Sequence, residues 1–165
     1  MNYLKLLFLV FLSLLVTLLD VSFFSALPVA GATVVLSISM IVTWALTGKF
    51  EEFVVYSLGA IFFFAIFSSL SIWFLLFGFF LLPGLIVFLR KNYFPEPSLL
   101  IAFVYFLAFN ILFFSSLLLF SGELFKAGAS TVFYTSVLIN SGAGFFLYSL
   151  SKTMKTRSHR ERIKV

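Results

Sequence analysis

The sequence contains no cysteine, one histidine and few charged residues, and each shortage excludes a class of site or protein. Without cysteine there can be neither disulfides nor thiolate metal sites. The single histidine, His159, lies in a basic C-terminal stretch, so a histidine-based metal or proton site within a membrane is excluded as well. Charged residues make up 10% of the chain, against about 25% in soluble domains, which is too few to cover a soluble surface.

What is present in quantity is apolar. Hydrophobic residues make up 62% of the 165 positions, 26 of them are phenylalanine, and the mean hydropathy is +1.19. The apolar runs approach the ~20 residues that a helix needs to cross ~30 Å of hydrocarbon. They are apolar on all faces, unlike the alternating ~10-residue segments of a membrane β-barrel. The sequence therefore predicts a single all-α, polytopic integral membrane domain.

Short polar stretches divide the apolar sequence into six segments, which we interpret as six transmembrane helices. The least marked division is the uncharged stretch 68–71, and a single kinked helix there would give five spans instead. A helix over residues 53–89 would be about 55 Å long at ~1.5 Å per residue, which is too long for one bilayer, so six is the prediction. The predicted segments cover residues 3–26, 29–47, 53–69, 72–89, 98–120 and 130–150.

The distribution of basic residues predicts the orientation. With both termini in the cytoplasm, all basic side chains except Lys126 fall on the inner side, which is the bias expected of inner loops. We read the first segment as a retained helix because its apolar run exceeds the usual ~7–15 residues of a signal peptide. The prediction is a transmembrane domain over residues 1–151 and a basic cytoplasmic tail over 152–165. The inner basic residues are Lys5, Lys49, Arg90, Lys91, Lys152, Lys155, Arg157, Arg160, Arg162 and Lys164.

No stretch of the sequence carries a phosphate-binding glycine loop, a nucleophile elbow, a carboxylate pair or metal-ligand spacing. We therefore predict no catalytic residue, no metal and no cofactor. One acidic residue, Asp20, falls within a predicted span, and an intramembrane carboxylate is a functional candidate by default. With Ser22 and Ser25 nearby, we favour a structural role in which Asp20 reaches the outer interface or caps the end of the first helix.

Two amides and a strip of small residues are the candidate contacts. Asn110 and Asn140 lie near the middle of the fifth and sixth segments, where an amide needs a hydrogen-bonding partner. They either hold two helices together, which we favour, or have a functional role as the polar wall of a pocket or as a contact for a partner. Small residues allow close helix approach, either within the chain, to another protein or to a second copy. The candidate packing or partner contacts are Asn110, Ser136, Asn140, Gly142 and Gly144.

Two further features of the sequence, a proline within a predicted helix and a basic C-terminal tail, allow predictions. Pro83, inside the fourth segment, removes a backbone donor and should distort the helix there. The C-terminal tail is basic enough to lie against anionic lipid headgroups, and we favour this over nucleic-acid binding. The predicted lipid contacts are Lys152, Lys155, Arg157, Arg160, Arg162 and Lys164.

Several short stretches of the sequence, taken with the layout of six segments, match a known pattern: Leu18–Asp20 followed by Pro28, Trp44–Gly48, Gly59, and Ser136–Gly142 leading into Phe145–Tyr148. In these features the chain resembles the MreD family of bacterial rod-shape determinants, which are small membrane proteins with six apparent spans. The resemblance covers most of the chain, but many family members have an aspartate after the glycine of the third span, where this chain has Ile61–Phe64.

The resemblance implies a scaffold subunit of the peptidoglycan elongation machinery in the bacterial inner membrane. Such a subunit would bind a single-span MreC-like partner and other subunits of that machinery, and it would have no catalysis of its own. The MreD fold is similar to the S-component of vitamin transporters, which supplies a rival function as a small-molecule binding subunit. Residues 6–12, within the first segment, lack the small-residue strip usual in S-components. An intramembrane enzyme has no support beyond Asp20.

Overall fold

The computed structural model describes residues 3–24, 34–93, 97–121 and 129–162, and within these ranges every regular element is helical. The predicted all-α class is thereby confirmed. Several predictions fall on residues outside the described ranges, among them Pro28, Lys126 and Lys164. The helices are α1 (Tyr3–Leu18, continued by a π-helical stretch, Leu19–Phe24), α2 (Leu36–Thr47), α3 (Phe50–Phe67), α4 (Ile72–Leu76, continued by a π-helical stretch, Phe77–Leu81), α5 (Leu82–Asn92), α6 (Leu99–Ser121) and α7 (Ala129–Arg162).

Within the described ranges, four helical stretches are long and apolar enough to cross a membrane: Tyr3–Phe23, Phe50–Phe67, Ile72–Asn92 and Leu99–Phe120. At most 39% of the residues in any of these stretches are buried inside the protein. A soluble protein would not leave so much apolar helix surface exposed. The chain is therefore a helical membrane protein. α2, with 12 residues, is shorter than these four, and the longer α7 carries more polar residues.

The short helix α2 lies at the centre of the bundle. It packs against α7, α5, α3 and α1, and eight of its residues are buried. It begins at Leu36 rather than near residue 29 as predicted, because Val34 and Val35 are not helical. The late start is a correction to the sequence reading, and its cause is described with the site below.

α3 and α4 are two separate helices, as the sequence predicted. α3 ends at Phe67 and α4 begins at Ile72, so residues 53–89 are not one helix. The Ser68 hydroxyl donates to the Phe64 carbonyl at 2.7 Å, and the Ser68 amide donates to the same oxygen at 2.8 Å. These bonds satisfy the last turn of α3 without any charged residue.

Pro83 is accommodated by the π-helical stretch that precedes it. The backbone N–H of Leu82 bonds to the carbonyl of Phe77, five residues earlier. A wider turn of this kind relieves the clash between a proline ring and the preceding turn of helix. The predicted distortion is therefore present, as a π-helical stretch inside an otherwise continuous helical run.

The last helix passes through the predicted boundary between membrane domain and tail. α7 continues from Ala129 to Arg162 without a break at residue 151. Its 34 residues correspond to about 51 Å at ~1.5 Å per residue, well beyond ~30 Å of hydrocarbon. The basic stretch is thus an extension of the last helix.

Candidate functional site at the start of helix α2

The Asp20 carboxylate binds the N-terminus of α2. Its Oδ1 accepts the Leu36 N–H at 2.7 Å and its Oδ2 accepts the Ser37 N–H at 2.8 Å. Asp20 is 6% exposed. A carboxylate at a helix N-terminus satisfies donors that have no partner within the helix and meets the positive end of the helix dipole. Asp20 therefore joins the first helix to the beginning of the second, and does not cap the end of α1 as expected.

Asn140 binds the same terminus from the opposite side. Its Oδ1 accepts the N–H of Val35 at 2.8 Å, and its backbone carbonyl accepts the Ser39 hydroxyl at 3.2 Å. Its Nδ2 donates to the Ser136 carbonyl, one turn earlier in α7, at 2.8 Å. Asp20 and Asn140 together accept three consecutive backbone N–H groups. This explains why the helix begins where it does.

Asn110 makes a separate contact between α6 and α7. Its Nδ2 donates to the Phe106 carbonyl at 2.8 Å and to the Ser141 hydroxyl at 3.2 Å. Its Oδ1 is buried and has no hydrogen-bond partner among the described residues. The two predicted amides therefore act at neighbouring but different places: Asn110 meets the residue that follows Asn140.

The small residues of α7 divide between two faces. Ser136 and Ser141 are each 1% exposed, and Gly144 lies so close to Phe106 that a Cβ there would be 2.3 Å from the ring. Gly142 is exposed, and a Cβ built on it would meet nothing within 4 Å. Most of the strip is thus used for packing inside the chain, whereas Gly142 faces outward.

An apolar cavity of about 250 Å³ lies beside Asp20. Neither Asn110 nor Asn140 lines it, so the cavity does not contain the several converging polar groups of a typical small-molecule site. Phe79 and Phe113, two of its lining residues, also contact each other edge to face. The lining residues are Asp20, Val21, Val34, Val35, Phe64, Ser68, Leu70, Phe74, Phe79, Phe113 and Leu117.

Basic residues from several helices meet at the other end of the bundle. Lys5 forms an ion pair with Glu52, and both terminal nitrogens of Arg90 donate to the Gly48 carbonyl at 3.1 Å. Lys152 donates to the Pro97 carbonyl at 3.3 Å. Lys155, Arg157, Arg160 and Arg162 lie further along α7, where side chains are outside the described part, and Lys164 lies beyond it altogether.

Sequence reasoning missed two of these interactions. Neither the link from Asp20 to α2 nor the bond from the Tyr148 hydroxyl to the Pro97 carbonyl at 2.8 Å follows from residue spacing. The signal for the link from Asp20 was a carboxylate within a predicted span, which needs a partner there. In the described ranges, no group of three or more His, Cys, Asp or Glu residues is placed to hold a metal ion.

These features define a class: a helical membrane protein whose interior polar side chains bond largely to its own backbone. No family model matches the chain, and searches of the curated proteins and of the solved structures give no match. A function therefore has to be argued from the residues and their contacts.

Proposed function

We propose that the protein is a non-catalytic membrane scaffold subunit of the bacterial cell-shape and peptidoglycan elongation machinery, binding a single-span MreC-like partner. In this proposal it spans the inner membrane six times, with both termini in the cytoplasm and an S-component-like arrangement of helices. The four long apolar stretches supply four of the spans, and α2 and α7 supply the other two.

The observation that carries the proposal is where the interior polar groups make their bonds. In transporters with interrupted helices, the N-terminus of a half-helix often binds the anionic group of the substrate. Here Asp20 and Asn140 accept the three N–H groups of Val35, Leu36 and Ser37. The site at which an anionic substrate would bind is thus used by the protein's own side chains, which favours a structural role.

The outward face of α7 is the proposed surface for the partner helix. Gly142 lies between Leu138 and Phe146 on this face, four residues from each, and both of those side chains are 63% exposed. Exposed small residues flanked by large apolar ones let a second membrane helix approach closely. A partner helix bound at Gly142 would not disturb the contacts that Asn140 and Gly144 make inside the chain.

Co-purification tests the proposal. The full chain is solubilised in mild detergent with an MreC-like protein expressed beside it, and retention of that protein is measured. Gly142→Leu should lower retention of the partner several-fold, because the leucine side chain fills the open space at Gly142 between Leu138 and Phe146. Gly84→Leu is the matched control, because Gly84 also has nothing within 4 Å of a built Cβ but lies on another helix, and it should retain the partner normally.

The apolar cavity beside Asp20 favours one second candidate, an S-component-like subunit that binds a small molecule such as a vitamin. Its volume of about 250 Å³ is a little below the ~300–1,000 Å³ of most ligand pockets. Saturable vitamin binding by the purified protein, together with no partner retained in mild detergent, would replace the scaffold proposal with this one.

A further inference from the structure

A second and larger concavity lies at the basic end of the bundle, where α3 begins and α5 ends. This groove has a volume of about 610 Å³ and is independent of the proposed function. None of its lining residues belongs to the cavity beside Asp20. Its lining residues are Phe50, Gly84, Val87, Phe88, Arg90 and Lys91.

The walls of the groove are apolar and accessible from outside the protein. Phe50 is 61% exposed and Phe88 is 58% exposed, and nothing lies within 4 Å of a Cβ built on Gly84. Leu81 and Leu85 continue the exposed apolar surface along the same helical run. The groove therefore continues into an exposed apolar strip whose chemistry suits a lipid acyl chain.

Two cations line the groove where the helix α5 ends. Arg90 uses one N–H of each terminal nitrogen for the Gly48 carbonyl, which fixes the guanidinium and leaves its other N–H groups for an anion. Lys91, the next residue, is exposed. The nearby Glu52 is paired with Lys5, and Glu51 on the first turn of α3 has an interaction of its own. The groove thus combines apolar walls with net positive charge.

We propose that this groove is a specific site for an anionic phospholipid. The lipid phosphate bonds to Arg90 and Lys91, and one acyl chain lies over Gly84 between Phe50 and Phe88. Basic pockets between membrane helices bind anionic headgroups in this manner, and guanidinium–phosphate bonds are among the stronger hydrogen bonds in proteins. A zwitterionic headgroup brings its own cation next to Lys91, so the site prefers lipids with a net negative charge.

Native mass spectrometry of the full chain tests the site. The protein in mild detergent is titrated with phosphatidylglycerol or, separately, phosphatidylcholine, and the lipid-bound fraction is measured. Phosphatidylglycerol should bind at least fivefold more tightly. Lys91→Gln should weaken it about fivefold, the factor expected for one basic residue beside an anionic lipid. Gly84→Leu, which fills the groove, should weaken both lipids several-fold.

Two controls separate the groove from general attraction to a basic protein. Lys155→Gln removes the same charge from the extension of α7, whose basic residues are predicted to attract anionic lipid in general, and it should weaken phosphatidylglycerol less than Lys91→Gln does. Gly142→Leu adds the same side chain at an open glycine elsewhere and should bind within twofold of the unmodified chain. Circular dichroism and thermal unfolding verify that each variant folds. If Gly84→Leu does not fold, the lipid binding of Lys91→Gln alone decides whether the proposal holds. Equal binding of the two lipids, or equal effects of Lys91→Gln and Lys155→Gln, would overturn the proposal. So would complete displacement of phosphatidylglycerol by soluble glycerol phosphate, because the acyl groove would then contribute nothing.

Discussion

At the scale of single residues, the interior of this protein is organised by a few polar side chains that bond to backbone groups of other helices. Asp20 and Asn140 bind the start of α2, Tyr148 binds the Pro97 carbonyl, and Arg90 binds the Gly48 carbonyl. In hydrocarbon an unpaired backbone group costs several kcal/mol. These side chains therefore complete the helix ends that the membrane cannot solvate.

Replacing Asp20 should destabilise the protein without any change in charge at its surface. Asp20→Ala leaves the N–H groups of Leu36 and Ser37 buried without acceptors, and we expect the free energy of unfolding to fall by about 2–4 kcal/mol. Asp20→Asn keeps one acceptor oxygen and should lose about half as much. The measurement is reversible unfolding in mixed micelles with increasing dodecyl sulfate.

Ser22→Ala is the control for that experiment, since Ser22 lies two residues from Asp20 and is exposed. It should unfold like the unmodified chain. If Asp20→Ala were equally stable, the carboxylate would not be supporting the start of α2.

The two buried asparagines, Asn110 and Asn140, should differ in the same assay. Asn140→Leu removes the acceptor of the Val35 N–H and should cost about 1–3 kcal/mol. Asn110→Leu removes a buried carbonyl oxygen that has no partner in the described residues, so its loss should be smaller, about 1 kcal/mol or less. An Asn110→Leu variant less stable than Asn140→Leu would contradict the hydrogen bonds described.

At the scale of elements, close contacts at glycine set how the helices meet. α7 packs against both α2 and α6, and the contact with α6 depends on Gly144 lying directly on the Phe106 ring. α1 and α3 meet in a similar way, since a Cβ on Gly59 would be 2.4 Å from the Ser13 hydroxyl. Without a hydrophobic drive between helices in lipid, such close contacts supply much of their attraction.

Gly144→Ala and Gly142→Ala form a matched pair on one helix. The Cβ at position 144 would collide with the fully buried Phe106, and forcing α6 and α7 apart should cost about 1–3 kcal/mol. The Cβ at position 142 meets nothing, so that variant should be unchanged or more stable by up to about 1 kcal/mol through helix propensity. Unfolding in mixed micelles measures both, and equal losses would contradict the assignment of the two faces.

At the scale of the whole molecule, charge separates the two ends of the bundle. Lys5, Arg90 and Lys152 make their bonds at one end, while Asp20 and the apolar cavity lie toward the other. In the orientation we propose from the positive-inside bias, the basic end of the bundle lies in the cytoplasm. The proposed groove for an anionic lipid would then face the inner leaflet, where the cytoplasmic surface charge of the membrane is concentrated.

Labelling of single cysteines tests this orientation, and the chain has no cysteine of its own to give a background. Lys49→Cys and Thr153→Cys should react with an impermeant maleimide only in inverted vesicles. Ser69→Cys should react in intact cells, because the break between α3 and α4 lies at the opposite end. All three sites are exposed. Reaction of Thr153→Cys from outside while Lys49→Cys reacts only in inverted vesicles would show an odd number of spans between the two sites, which excludes the six-span arrangement.

The lengths of the apolar runs predicted most of the helices, because the thickness of the membrane sets the length of a helix that crosses it. Helices α3, α5 and α6 end within three residues of their predicted limits, and the division at residues 68–71 is where Ser68 closes α3. The start of α2 was predicted too early, since apolar residues such as Val34 and Val35 suit a helix equally well by composition. The start of that helix is fixed by bonds from Asp20 and from Asn140, the latter more than a hundred residues away.

The sequence by itself determined that this is a helical membrane protein, because its composition and the lengths of its apolar runs match what a hydrocarbon layer about 30 Å thick requires. Its shortage of charge excluded a soluble domain, and its lack of cysteine excluded disulfides and thiolate metal sites. Only the tertiary structure decided which polar groups meet: that Asp20 holds the next helix instead of ending its own, that Gly144 packs while Gly142 faces outward, and that Phe50 and Arg90 share one groove. Those outcomes depend on contacts between helices distant in sequence, which no local pattern of residues encodes.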